Sequence, residues 1–187
     1  MSALIEELYR DFKREAEAVG SNVYRVENAD QALVLITELL GKWESDRKPQ
    51  GLEVAWQRGP IMADAQGSIA IRGRVHEENL PHFSKEADVG IAEVDLAIAD
   101  TGTLAQNATD VVKRYVTTLP ELNILLLTAD KLVRSMEEAF AVMKPVETPF
   151  LAFITGPSRT ADIERVLTLG VHGPEWLWII FVGGEGA

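Results

Sequence analysis

Residues able to hold a small anion gather in one stretch, Thr155-Gly156-Pro157-Ser158-Arg159-Thr160-Ala161-Asp162-Ile163-Glu164. Its pattern predicts a strand running into a loop at Gly156 to Arg159, then a helix from Thr160 to Leu169. Backbone N–H groups at a helix start point outward with partial positive charge, which favours an anion. Ser158 and Thr160 add hydroxyl donors, and Arg159 a planar fork suited to carboxylate or phosphate. A structural reading fits equally well: Ser158 or Thr160 caps the helix, while Asp162 and Glu164 complement its dipole and compete with an anion. The stretch is no phosphate-binding P-loop, since the second glycine followed by lysine is missing.

Two other segments could approach the same ligand. Asp100-Thr101-Gly102-Thr103 follows the apolar run Leu96 to Ala99. A glycine between threonines lets backbone come close to a ligand, with Thr101 and Thr103 offering hydroxyls. Taken alone, the same residues read first as a tight turn between two strands. Arg114, further on, is the nearest cation. In Gly170-Val171-His172-Gly173-Pro174, a histidine held between glycines could donate a hydrogen bond or accept a proton. Gly170 and Pro174 also serve simply to stop the preceding helix. His172 forms no metal-ligand spacing with His76 or His82.

These segments need elements to position them. Leu4, Ile5, Leu8, Phe12, Ala16 and Val19 recur at helical spacing and predict a helix ending at Gly20. A short apolar piece, Val23 to Val26, follows. Asp30 reads as the N-cap of a second helix to about Leu40, stopped by Gly41, with Lys42 to Gln50 as a polar loop. Between Gly51 and Pro81 the pattern is weaker; Leu52 to Trp56 and Ile69 to Ile71 read as strands broken by Gly59, Pro60, Gly67 and Gly73. Further strands are expected at Val94 to Ala99, Leu104 to Gln106, Asn123 to Thr128, Phe150 to Thr155 and Trp176 to Val182. Asp130 reads as the cap of a helix to about Met143. Trp176 and Trp178 alternate onto one face of the last strand, as core residues do.

Strands alternating with helices imply parallel pairing through crossovers. Runs apolar on both faces, such as Ile124 to Leu127, imply a sheet covered on both sides. The expected fold is therefore an α/β three-layer sandwich around a mostly parallel sheet, as one domain over residues 1–187. In such a sheet ligands bind beyond the carboxyl ends of the strands, and the three segments are expected to converge there.

Composition narrows the chemistry. The chain has no cysteine, which excludes a disulfide, a thiolate zinc site, a catalytic thiol and an iron–sulfur cluster of its own. Twenty-nine acidic residues against 18 basic ones give a formal charge of −11. That balance disfavours nucleic acid and anionic membranes as partners. Neither a signal peptide nor a membrane span is expected, so the reading is a cytoplasmic protein.

The segments Asp95 to Leu104, Arg114 followed by Thr118-Leu119-Pro120, Gly156 to Glu164 and Gly170 to Pro174 resemble, in this order, the LUD-domain family, the group of the lactate-utilisation protein C. The resemblance is strongest over 89–182. It implies a fold similar to that of sugar-phosphate isomerases, coenzyme A transferases and folate cyclo-ligases. It also implies an accessory subunit of a complex that oxidises L-lactate to pyruvate, with iron–sulfur clusters carried by partner subunits and no cofactor in this chain. On that reading Thr101, Gly102, Thr103, Arg114, Gly156, Ser158, Arg159, Thr160 and Gly173 shape a pocket for a small carboxylate or phosphate. His172 then accepts the proton leaving the lactate hydroxyl. The alternative is a stand-alone enzyme or binding protein for a phosphorylated or nucleotide-like ligand.

Overall fold

Leu122 to Thr128 carries apolar side chains at nearly every position, and a strand of that kind is stable only with both faces covered. The computed structural model, which describes residues 3–48, 50–63, 65–161, 167–169 and 173–183, shows how the cover is supplied. In chain order the first half is α1 (Ala3–Ala18), β1 (Asn22–Val26), α2 (Ala29–Arg47), β2 (Leu52–Gln57), β3 (Gly73–His76), α3 (Leu80–Phe83) and β4 (Val89–Glu93). There follow β5 (Leu96–Ile98), β6 (Thr103–Asn107), α4 (Val111–Thr118), β7 (Leu122–Thr128), β8 (Leu132–Val133), α5 (Met136–Met143) and β9 (Leu151–Ile154). The chain ends with β10 (Arg159–Ala161), β11 (Leu167–Leu169) and β12 (Trp176–Val182).

Six strands form one wholly parallel sheet in the order β1-β12-β7-β4-β2-β3. The period of two splits its side chains between two cores. Leu122, Ile124, Leu126, Trp178 and Ile180 meet Ala32, Leu33, Ile36 and Leu40 of α2. Leu125, Leu127, Leu177, Ile179 and Phe181 meet Leu8, Phe12 and Ala16 of α1, with Leu80 of α3 and Val116 of α4. This is the expected three-layer arrangement. Trp176 and Trp178 lie in the α2 core, Trp176 edge-on to Trp43.

A second sheet, β8-β5-β6-β9, is mainly antiparallel. Its Ala97, Ala99, Leu104 and Leu132 join the α1 core, while Leu96, Ile98 and Ala105 pack on Ala139 and Met143 of α5. Helix α1 is thus buried from two sides. Phe12 is fully buried and meets Phe181 edge-on.

Several local expectations are corrected. Asn28, not Asp30, caps α2, its side chain accepting from the Gln31 N–H. The helix runs through Gly41 and on to Arg47, into the loop expected over Lys42 to Gln50, because Leu40 and Trp43 are both buried. That burial outweighs the ~1 kcal/mol a helical glycine costs. Ile69 is buried without strand pairing, and the strand lies at Gly73–His76. Asp130 sits in a 3-10 turn over Ala129–Lys131; α5 begins later, capped by Ser135. Helix α4, capped by Asp110, was not anticipated. The helix expected from Thr160 is absent where described: β10 and β11 pair antiparallel instead.

The outermost strand is fastened by charge as well as by its ladder. Glu53 accepts from Arg74 Nε at 3.0 Å and Nη2 at 2.8 Å, and faces His76 Nε2 at 2.7 Å. Partial burial pushes the Glu53 carboxyl up, but Arg74 and His76 outweigh it and hold the group below its ordinary range. A carboxyl lowered in this way contributes stability that is present above its unfolded pKa and lost as pH falls through the folded one. Glu53→Gln is therefore expected to flatten the acid limb of the stability–pH curve, measured by urea denaturation. Identical acid limbs for the parent and the variant would refute this.

Candidate functional site

The carboxyl ends of β2, β4 and β7 are Gln57, Glu93 and Thr128. A cleft of about 700 Å³ opens there, bounded by Arg58 to Ile61, Asp95, Lys113, Lys131 and the end of α5. Its position is where an open parallel sheet presents loops to a ligand. Its size lies within the roughly 300–1,000 Å³ of ligand pockets.

Carboxylates at and beside the cleft organise the loops that form it. Glu93 receives the Ile61 and Met62 N–H groups, both at 3.1 Å, and so draws the loop after β2 over the end of β4. The approach is so close that a Cβ on Gly59 would overlap the Glu93 carboxylate. Asp95 receives the Asn107 N–H at 2.7 Å, and Asp110 both caps α4 through Val112 and accepts from Gln57 Nε2.

The cations of the wall are less fully engaged. Lys113 stands 3.7 Å from Asp95, and Lys131 4.0 Å from Asp130 with half its side chain exposed. Arg58 stacks on Trp56 at 4.3 Å and meets Glu77 at 3.2 Å, while its Nε has no hydrogen-bond partner. Gln57 Oε1 is likewise buried without one. Apolar side chains, Val142, Met143, Ile61, Val94 and Leu96, line the cleft together with the polar groups. The arrangement can hold a negative group and an apolar body at once. Sequence reasoning passed over it, because Arg58, Lys113 and Lys131 lie in separate, motif-poor segments. The one available signal was Gly59-Pro60 directly after a strand.

The segments singled out from sequence do come together, but at the other edge of the sheet. Gly102, with φ +61°, lies against the backbone of Glu15 and Ala16 in α1, leaving no room for a Cβ. Thr103 is buried and its Oγ1 meets Thr155 Oγ1 at 2.8 Å. Gly156 lies against Val19, and Arg159 donates to the Val19 carbonyl just past the end of α1. The Ser158 N–H donates to the Pro174 carbonyl at 2.8 Å, and its side chain abuts Gly173. Thr101 is exposed in the turn. Arg114 is separate, its guanidinium 4.5 Å over the Phe150 ring.

These contacts surround the start of β1 and β12, so the expected placement at strand carboxyl ends is corrected. Strands β5, β6 and β9 belong to the second sheet, and Gly173 precedes β12. The helix-start N–H donors drop out as well, since 159–161 is extended. A helix C-terminus carries partial negative charge and favours a cation, which Arg159 supplies. The side chain of Thr160 and the whole of His172 lie outside the described residues. Among the described residues no helix is long and apolar enough to cross a membrane.

A family model described as the LUD domain matches residues 9–182. A lactate utilization protein C of Oceanobacillus iheyensis is 35% identical over 98 residues, 49% of this chain and 42% of that protein. One from Bacillus subtilis is 34% identical over 104 residues, 52% and 43% of the two chains. The matched stretches thus span less than half the length of these relatives. The crystal structure of a DUF162 family protein from Deinococcus radiodurans aligns with a TM-score of 0.69 over 98% of this chain and 99% of that one. At 21% identity that likeness shows the fold alone.

If Gly102 and Arg159 secure α1, Gly102→Ala is expected to cost about 2 kcal/mol, from overpacking and a disfavoured φ. Arg159→Ala should cost about 1 kcal/mol, the worth of one hydrogen bond. Urea midpoints measure both. An unchanged midpoint for Gly102→Ala would contradict the close approach to Ala16.

Proposed function

The chain belongs to the LUD-domain family, and from that premise we propose that it serves lactate utilisation, as an accessory subunit of an iron–sulfur complex that oxidises L-lactate to pyruvate. The observation carrying this reading is the match to proteins named lactate utilization protein C, at 35% identity over 98 residues. Oxidation of lactate to pyruvate removes two protons, one from the hydroxyl and one from the carbon that bears it, and two electrons. This chain has no cysteine with which to hold a cluster. The electrons therefore pass to iron–sulfur centres in partner subunits, and this chain contributes binding and positioning.

On this reading the ligand enters at the carboxyl edge of the parallel sheet. Lys113 and Lys131 supply positive charge there without a strong partner to neutralise it. The loops around α1 keep the helix in place between the two sheets.

Affinity capture of the full chain from its own host grown on lactate tests the proposal. Two cysteine-rich iron–sulfur proteins are expected among the captured partners, and deletion of the gene should abolish growth on lactate. Capture of the chain alone, together with unimpaired growth on lactate, would overturn the subunit role.

A further inference from the structure

The cleft has room and apolar lining for more than lactate. A three-carbon acid would leave most of the roughly 700 Å³ to water. Val142, Met143, Ile61 and Val94 give the cleft an apolar part of its lining. Val142 is 58% exposed, so its aliphatic surface is open to a ligand. Methionine adds a flexible, polarisable surface that adapts to varied apolar shapes.

The polar side has capacity to spare. Lys131 is half-exposed and 4.0 Å from its nearest carboxylate. Arg58 brings a guanidinium to the same wall, stacked on Trp56 and paired with Glu77. Glu93 is held by two backbone N–H groups, while Asp95 takes the Asn107 N–H and lies 3.7 Å from Lys113 in a long ion pair.

We infer that the cleft binds an organic anion considerably larger than lactate, with a phosphate or carboxylate head on an apolar body. Its head is held by Lys131, Lys113 and Arg58, and its body lies along Val142, Met143 and Ile61. The inference rests on the assignment of this cleft as the ligand site and not on the lactate reading. The capture and growth experiment can fail while this one succeeds, and the reverse.

Titration calorimetry on the full chain tests it with four probes: L-lactate, inorganic phosphate, AMP and octanoate. AMP or octanoate is expected to bind saturably and at least about tenfold more tightly than lactate or phosphate. AMP alone would assign a phosphate head, and octanoate alone a carboxylate on an aliphatic chain. Lys131→Ala should weaken the bound probe about tenfold, and Val142→Asp should weaken it while leaving any phosphate binding in place. Both side chains are more than half exposed, so the variants are expected to fold, as their urea midpoints would confirm. Binding of lactate or phosphate as tightly as the larger probes, no binding by either larger probe, or indifference to both substitutions would each overturn the inference.

Discussion

The burial of α1 between two sheets is the constraint on which the rest of the structure depends. One helix supplies Leu8, Phe12 and Ala16 to a core shared by the parallel sheet and the β5–β6 side of the smaller one. Neither sheet covers that face of the other unaided, so the position of α1 sets how the two meet. Phe12 and Tyr9 both pack edge-on against Phe181, a geometry that fixes the helix on β12 beyond what area alone would do. From the other side, the Gly102 turn lies directly on the helix backbone. The Arg159 guanidinium then satisfies a carbonyl at the helix end, where partial negative charge accumulates.

This arrangement divides the parallel sheet into two edges with different roles. At the amino edge, segments distant in sequence are spent on one another: Thr103 on Thr155, Ser158 on Pro174, Arg159 on Val19. At the carboxyl edge, Glu93 and Asp95 organise the loops, while Lys113, Lys131 and Arg58 bring positive charge to the cleft, the two lysines in long ion pairs only. Specific residue patterns therefore mark the edge that is used for packing. The edge with room for a ligand is assembled from ordinary residues.

The overall charge of −11 and a cation-bearing cleft are compatible, because the two act over different distances. An acidic surface repels polyanions through its summed field, which salt screens beyond about 10 Å. A small anion inside the cleft interacts mainly with the few charges at its wall. Acidity of the whole protein thus restricts large partners more than it restricts the ligand.

The sequence by itself determined the fold class, the helix α1, the strands β2, β7 and β12 and the turn at Thr101 to Thr103. Each is written in local periodicity or turn chemistry, which needs no knowledge of distant residues. The family resemblance was legible too, since it rests on contiguous motifs. Only the tertiary structure decided that α2 continues through Gly41, where the burial of Trp43 outweighs a local stop signal. It also decided that Arg159 serves a helix end, and that Arg58, Lys113 and Lys131 share one cleft. Those outcomes depend on which strand lies beside which. The order β1-β12-β7-β4-β2-β3 arises from burying apolar area between segments far apart in the chain, and no window of neighbouring residues contains that information.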